Sequence, residues 1–126
     1  MRRAVLALIV APPGRLRDAW RALLVATPGI REVRVADDGD VGLDLLRVHR
    51  PGLVLLEGGL RDGRSAALVR RIKSERPDCR CIVVSSDVDV QEPVQEPGQA
   101  TGFDAVLLKG FPAARFFETV KGVLSH

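Results

Sequence analysis

Short, nearly unbroken apolar runs alternate along this chain with longer stretches in which apolar residues recur every three or four positions. The runs are Ala4–Val10, Leu53–Leu56, Cys81–Val84 and Ala105–Leu108. Unbroken apolar runs are typical of strands that are covered on both faces, and their alternation with helical stretches predicts a parallel sheet with right-handed crossovers. The segment Val33-Arg34-Val35 alternates between apolar and polar residues and predicts an edge strand. The pattern therefore predicts an α/β fold with five strands, the second of them at an edge.

Four stretches have the apolar periodicity of helices. The first is predicted from about Gly14 to Ala26, where Pro28-Gly29 stops it. Its inward-facing residues are expected to be Leu16, Ala19, Trp20, Leu23 and Leu24. Trp20 is accordingly predicted to be a core residue rather than a recognition residue.

The remaining three helices have recognisable ends. The second is expected to begin with Asp40 as its N-cap and to end before Pro51. The third is predicted from Ser65 to Arg76, and the C-terminal helix from about Ala113 to Leu124. The residues expected to face the sheet are Leu68 and Ile72 in the third helix and Phe116, Val120 and Val123 in the C-terminal helix.

The stretch between the fourth and fifth strands departs from this alternation. It contains the tandem repeat Val90-Gln91-Glu92-Pro93-Val94-Gln95-Glu96-Pro97, with proline at every fourth position. A proline inside a helix removes a hydrogen bond and clashes with the preceding turn, at a cost of roughly 3 kcal/mol. We therefore expect residues 87–101 to form a shortened or disrupted helix, or a loop.

Composition excludes several classes of protein. A chain of 126 residues is expected to form one domain, 1–126, with a single well-buried core. No apolar run approaches the about 18–20 residues of a membrane-spanning helix, and the first run is short for a signal peptide, so a cytoplasmic protein is expected. Cys79 and Cys81 have no His or further Cys nearby and predict no zinc site. The net charge of +3 comes with acids interspersed among the arginines, so no nucleic-acid partner is expected.

Three motifs resemble the receiver domain of two-component response regulators. The segment Pro51–Gly63, PGLVLLEGGLRDG, resembles the receiver pattern P-D-L-V-L-L-D-x-x-L-P-D-G and has Glu57 at the position of the phosphorylated aspartate. Ser85, in IVVSS, matches the switch serine or threonine, and Lys109, in GFDAVLLKG, matches the lysine that contacts phosphate. The three motifs lie between Pro51 and Gly110, and the resemblance is expected to extend over essentially the whole chain. The resemblance implies a flavodoxin-like (CheY-like) three-layer fold with strand order 2-1-3-4-5.

A narrower resemblance concerns the type of receiver. The stretch RDAWRALL from Arg17, the segment Pro28-Gly29-Ile30 and the pair Lys109-Gly110 are most similar to receivers of the NarL/FixJ type. Such receivers normally precede a helix-turn-helix output domain. We expect no output domain after His126.

The resemblance also indicates which groups needed for phosphoryl transfer are missing from this chain. Receivers hold a divalent cation with an acidic pair directly after the first strand, and this chain has Ala11 and Pro12 there. Neither residue offers the side-chain oxygen that magnesium requires. The extra methylene of Glu57 also moves its carboxylate away from the geometry of an aspartate. We therefore expect no phosphorylation, no Mg²⁺ or other cofactor, and no enzymatic activity.

Two interpretations of Glu57 remain open. It forms an ion pair with Lys109, or it points into water at the end of its strand. Ser85 either hydrogen-bonds within this cluster or caps the loop after its own strand. Val106 stands where receivers usually place a tyrosine or phenylalanine that rotates inward on activation. The usual relay from the switch serine to this aromatic ring is therefore expected to lack its aromatic residue.

The predicted function is that of a stand-alone pseudo-receiver, an atypical receiver that signals by phosphorylation-independent protein contact. A protein partner or a second copy is expected on the face formed by the segment before the fifth strand, the fifth strand and the C-terminal helix. The apolar candidates on that face are Val94, Val106, Phe117 and Leu124. The alternatives are a conventional phospho-accepting regulator and a small-ligand or nucleotide-binding flavodoxin-like domain. The second is disfavoured because the prolines of the Ala11–Gly14 loop lack N–H donors.

Overall fold

The computed structural model describes residues 4–58, 64–85 and 102–125. Strands and helices alternate along these ranges as the apolar pattern predicts, and the C-terminal helix has the predicted bounds. The elements are β1 Val5–Val10, α1 Arg15–Val25, β2 Ile30–Ala36, α2 Gly39–His49, β3 Leu53–Glu57, α3 Arg64–Glu75, β4 Arg80–Ser85, β5 Ala105–Leu108 and α4 Ala113–Leu124.

The five strands form one parallel sheet with the order β2-β1-β3-β4-β5. This confirms the predicted fold class and strand order. The three central strands are almost wholly buried, whereas β2 alternates between exposed and half-buried residues, as an edge strand should. The carboxyl ends of all five strands lie at the same edge of the sheet, because the strands are parallel.

Helices cover both faces of the sheet, and each face has its own apolar cluster. One cluster joins the sheet to α1 and α4 through Trp20, Leu24 and Phe116. The other joins it to α2 and α3 through Leu46 and Ile72. Trp20 and Phe116 are buried, which confirms both as core residues. Successive strand residues contribute to opposite clusters because side chains alternate along a strand.

The inward face of α1 differs from the prediction at two positions. Leu16 is 48% exposed and Ala19 is exposed, whereas Trp20 and Leu24 are buried and Leu23 is half-buried. Leu16 lies in the first turn of α1, beside the β1–α1 loop, and lines a cleft there instead of covering the sheet. Apolar character alone therefore overestimated the width of the buried stripe.

The start of α2 also differs from the prediction. The N-cap is Asp38 and not Asp40: its backbone is extended, and its carboxylate accepts a hydrogen bond from Val41 N at 3.0 Å. Asp40 lies within the first turn of the helix, where a carboxylate interacts favourably with the helix dipole. Both residues suit the start of a helix, and the extended backbone at Asp38 decides which of them is the cap.

Strand β5 is short and is tied to β4 at its start by Asp104. One carboxylate oxygen, Asp104 Oδ2, accepts hydrogen bonds from Cys81 N at 2.7 Å and from Lys73 Nζ at 2.9 Å. Lys73 Nζ also donates to Cys79 O at 2.7 Å. The predicted disruption of residues 87–101, including Val94, lies outside the described residues.

Candidate functional site

Glu57 is the last residue of β3, the central strand of the sheet, and lies between the ends of β1 and β4. Ligands of doubly wound α/β folds bind at this edge, where strand order reverses. Four buried apolar residues, Leu53–Leu56, precede Glu57 in the strand, so the strand fixes the carboxylate at the rim of the sheet. The side chain of Glu57 is 23% exposed.

Lys109 pairs with Glu57 across the end of β4. The distance from Lys109 Nζ to Glu57 Oε2 is 2.6 Å. The backbone N–H of Lys109 donates to Ser85 O at 2.9 Å, which holds the start of the lysine side chain beside β4. Of the two interpretations left open by the sequence, the ion pair is therefore the one that the structure contains.

Ser85 ends β4 and is fully buried. It lies opposite Leu108 in the β4–β5 register, between Glu57 on one side and Lys109 on the other. The three residues that match the acceptor, switch and lysine positions of receivers are thus brought to neighbouring strand ends, as the motifs imply.

The β1–α1 loop begins with Ala11 and Pro12, beside Glu57. Ala11 is buried and donates its N–H to Ala36 O at 3.0 Å, and Pro12 is exposed. All three residues line a cleft of about 230 Å³ next to Trp20, and also a second cleft of about 300 Å³ between the starts of α2 and α3. The loop thus borders Glu57 without contributing a side-chain oxygen.

Arg17 supplies a positive charge to this loop, a contact that the sequence pattern does not predict. Its Nη1 donates to Ala11 O at 3.1 Å and also to Asp37 Oδ1, and the arginine side chain is only 15% exposed. Arg17, Trp20 and Leu24 follow i, i+3, i+7 spacing on one side of α1. This spacing marks Arg17 as lying on the inward side of α1, but an arginine does not stand out in the apolar pattern.

The second cleft is closed on one side by tight packing after β3. A Cβ atom added at Gly58 would collide with Ser65 Oγ, because the start of α3 packs directly against the chain there. Ser65 itself is buried. A side chain at position 58 would therefore displace α3 or force Ser65 into another rotamer.

The described carboxylates at this edge already have partners. Magnesium requires nearly octahedral oxygen coordination with carboxylates among its ligands. Glu57 is paired with Lys109, Asp37 is paired with Arg17, and Asp38 caps α2. Within the described ranges, no group of three or more His, Cys, Asp or Glu side chains lies close enough to hold a metal ion.

The two cysteines lie at the opposite edge of the sheet, at the start of β4, and both are buried. A hydrogen bond from Cys81 lowers the pKa of the Cys79 thiol, and nearby Lys73 and Arg76 act in the same direction. The same hydrogen bond raises the pKa of Cys81, and burial adds to the effect. The cysteines are remote from Glu57.

The apolar residues proposed for a partner face are divided by the sheet. Val106 is half-buried and packs with the α2–α3 cluster, whereas Phe117 and Leu124 pack with the α1–α4 cluster. Leu124 lies near Gly29, towards α1. Val106 therefore packs on the opposite face of the sheet from Phe117 and Leu124, because alternation along β5 turns it away from α4.

Comparison with known proteins agrees with this geometry. The sequence matches a family model described as response regulator receiver domain over residues 8–121. No curated protein matches the chain significantly. No helix in the described ranges is both long and apolar enough to cross a membrane.

Solved structures with the same fold include receivers from two organisms. A chain of NtrX from Brucella abortus is 26% identical with a TM-score of 0.79, and the match covers 97% of this chain but only 27% of that longer one. The receiver domain of the same NtrX is 23% identical, with a TM-score of 0.77 and coverage of 94% and 98%. The signal receiver domain of an HD domain-containing protein from Pseudomonas fluorescens Pf-5 is 21% identical, with a TM-score of 0.80 and coverage of 99% and 97%.

The family model covers most of the chain, the fold matches that of solved receivers, and Glu57, Ser85 and Lys109 occupy neighbouring strand ends. The chain belongs to the response regulator receiver domain family.

Proposed function

We propose that this receiver domain acts in two-component signalling through phosphorylation-independent protein contact. The observation that carries the proposal is the ion pair at the acceptor position. Glu57 already has a countercharge, Lys109 Nζ, at 2.6 Å. In a phospho-accepting receiver the corresponding lysine is the group expected to contact the phosphoryl oxygens.

The β1–α1 loop supports the same proposal. Transfer of a phosphoryl group to a carboxylate brings two anions together and relies on a divalent cation to neutralise them. Ala11 and Pro12 offer no side-chain ligand for that cation, and the nearest positive charge at the loop is Arg17, which is bound to Ala11 O. A guanidinium in this position contributes charge but has no exchangeable coordination site.

Several finer features belong to the proposal. The domain is a degenerate pseudo-receiver most similar to the NarL/FixJ type, has no enzymatic activity and uses no cofactor. It acts in the cytoplasm and binds a protein partner or a second copy near β5. Val106 supports a face that does not rearrange, because a valine cannot take the place of the rotating aromatic ring. The proposed contact lies at the β5 edge, and the 38% exposure of Leu108 there supports it.

Intact mass after treatment with acetyl phosphate and Mg²⁺ tests the proposal. The wild-type chain should gain no phosphoryl mass. A matched variant with Ala11→Asp, Pro12→Asp and Glu57→Asp restores the family's acids and serves as the positive control. Phosphorylation of the wild type on a carboxylate would establish the conventional phospho-accepting function instead.

A further inference from the structure

Cys79 and Cys81 form a pair of thiols at the start of β4, away from the acceptor position. They flank Arg80, the first residue of the strand, and both belong to the apolar cluster on the α2–α3 side of the sheet. Both are fully buried, and both are reduced. The two thiols are linked by a hydrogen bond. A disulfide needs Cβ atoms about 3.5–4.5 Å apart, so thiols already in contact need only a small movement to form one.

The two thiols differ in acidity. The hydrogen bond from Cys81 lowers the pKa of Cys79 despite its burial, and Lys73 and Arg76 act in the same direction, against Asp104. The same hydrogen bond raises the pKa of Cys81, and burial adds to the effect. Since the thiolate is the reactive form of cysteine, Cys79 is the nucleophile of the pair and Cys81 is its protonated neighbour.

Arg76 gives a separate indication that a negative charge belongs beside Cys79. Its Nε is buried, and no described residue accepts a hydrogen bond from it. A buried donor without an acceptor costs free energy, and most buried polar groups in folded proteins are paired. An anionic sulfur or sulfenate at Cys79 brings a compensating negative charge to this guanidinium.

The pair is separated from water by a single turn. Pro77 and Asp78 form this turn and are exposed, and Cys79 follows directly. Hydrogen peroxide is little larger than water, so a local opening of the turn admits it without unfolding of the sheet. Because opening precedes reaction, oxidation should be slower than that of an exposed thiol of the same acidity.

We infer that Cys79 and Cys81 are a peroxide-reactive thiol pair that closes into a reversible disulfide. The Cys79 thiolate attacks one oxygen of hydrogen peroxide, the O–O bond breaks, and hydroxide leaves, which gives a sulfenic acid at Cys79. The Cys81 sulfur then attacks the sulfenic sulfur, and the departing hydroxide takes the Cys81 proton to form water. Two thiols are thereby oxidised to a disulfide, and one peroxide is reduced to two waters.

Peptide mapping after treatment of the folded chain with hydrogen peroxide tests the inference. Remaining thiols are blocked with iodoacetamide, and the chain is then unfolded and digested. Trypsin cleaves after Arg80, so Cys79 and Cys81 fall in separate peptides that stay joined only through a disulfide. Wild type should yield the joined peptides, and dithiothreitol should separate them.

Single variants separate the roles of the two thiols. Cys81→Ser keeps a hydroxyl donor beside Cys79 and should leave a sulfenic acid at Cys79 that dimedone labels. Cys79→Ser leaves the less acidic thiol in the apolar cluster, so its labelling should be at least about tenfold slower. Circular dichroism establishes that each variant is folded.

A charge variant tests the contribution of Arg76. Arg76→Gln should slow disulfide formation several-fold, whereas Arg70→Gln, on the exposed face of the same helix, is the matched control and should leave the rate unchanged. Equal rates for these two variants would exclude Arg76 from the reaction.

The wild-type chain alone decides the main claim. Two blocked thiols after peroxide treatment, or joined peptides that form only when the chain is first unfolded in urea, would overturn the inference. Disulfides that link separate chains, seen as dimers on a non-reducing gel, would overturn it as well.

Discussion

Two ion pairs hold the ends of β5, and they differ in what surrounds them. At the start of the strand, Asp104 pairs with Lys73, and their side chains are 22% and 23% exposed. At the end, Lys109 pairs with Glu57, and their side chains are 31% and 23% exposed. From side-chain exposure alone, the two pairs would be expected to contribute nearly equally to stability.

The two ion pairs differ in their other hydrogen-bonding partners. Asp104 also accepts from the backbone N–H of Cys81, and Lys73 also donates to the carbonyl of Cys79, so the first pair completes the backbone hydrogen bonding of β4. Among the described residues, the side chains of Glu57 and Lys109 bond only to each other. Loss of the first pair leaves backbone groups without partners, whereas loss of the second leaves only one charged side chain that can reach water. The first pair is therefore structural, and the second is free to serve function.

The largest effect is expected for Asp104→Ala. This change leaves Cys81 N without its acceptor and Lys73 Nζ without its carboxylate in a partly buried position, and should lower the free energy of unfolding by about 2–3 kcal/mol. Urea denaturation measures the loss. Asp78→Ala, in the exposed turn before β4, is the control and should change stability little. Equal losses of stability for the two variants would show that Asp104 has no particular structural role.

A smaller effect is expected at the acceptor position. Glu57→Gln and Lys109→Met should each lower the free energy of unfolding by about 0–1 kcal/mol, since the pair is partly solvated. In a double-mutant cycle, the coupling energy should be of the same size. A loss at Glu57 as large as that at Asp104 would contradict the distinction between the two pairs.

The smallest effect is expected for the exposed pair between α2 and α3. A hydrogen bond from Arg47 lowers the pKa of Glu75 below its usual 4.5. A carboxyl whose pKa is lower in the folded state contributes stability above its unfolded pKa, and this contribution disappears as pH falls through the folded pKa. Wild type should therefore be slightly more stable than Glu75→Gln at pH 7, and the difference should vanish in acid below pH 4.5. A difference that persists at low pH would exclude the ionised pair as its source.

The sequence predicted the parts of this molecule that depend on apolar periodicity. The strands, the edge position of β2, the C-terminal helix and the core positions of Trp20 and Phe116 all follow from which residues must leave water, whereas the full strand order was implied by the receiver resemblance. The juxtaposition of Glu57 with Lys109 followed from the receiver motifs, because these motifs place both residues at carboxyl ends of neighbouring parallel strands.

Polar contacts between distant segments were harder to predict. Two examples are the hydrogen bond between Arg17 and Ala11 O and the hydrogen bond between Asp104 and Cys81 N. Both depend on side-chain rotamers and on how the helices and strands dock. The choice of Asp38 over Asp40 as N-cap depends on one backbone conformation. The separation of Val106 from Phe117 required the assignment of each side chain to a face of the sheet, which spacing within a single element does not give.

A titration with Mg²⁺ and beryllofluoride, followed by backbone amide chemical shifts, tests most directly whether the acceptor position is closed to phosphoryl chemistry. Beryllofluoride imitates a phosphoryl group on a carboxylate and needs both an accessible acceptor and the cation. Because Glu57 is paired and the loop has Ala11 and Pro12, we expect no saturable shifts at Ala11, Glu57 or Lys109 at any ratio of the additives to protein. Saturable shifts at these residues that require both additives would contradict the account and identify a phosphorylatable receiver.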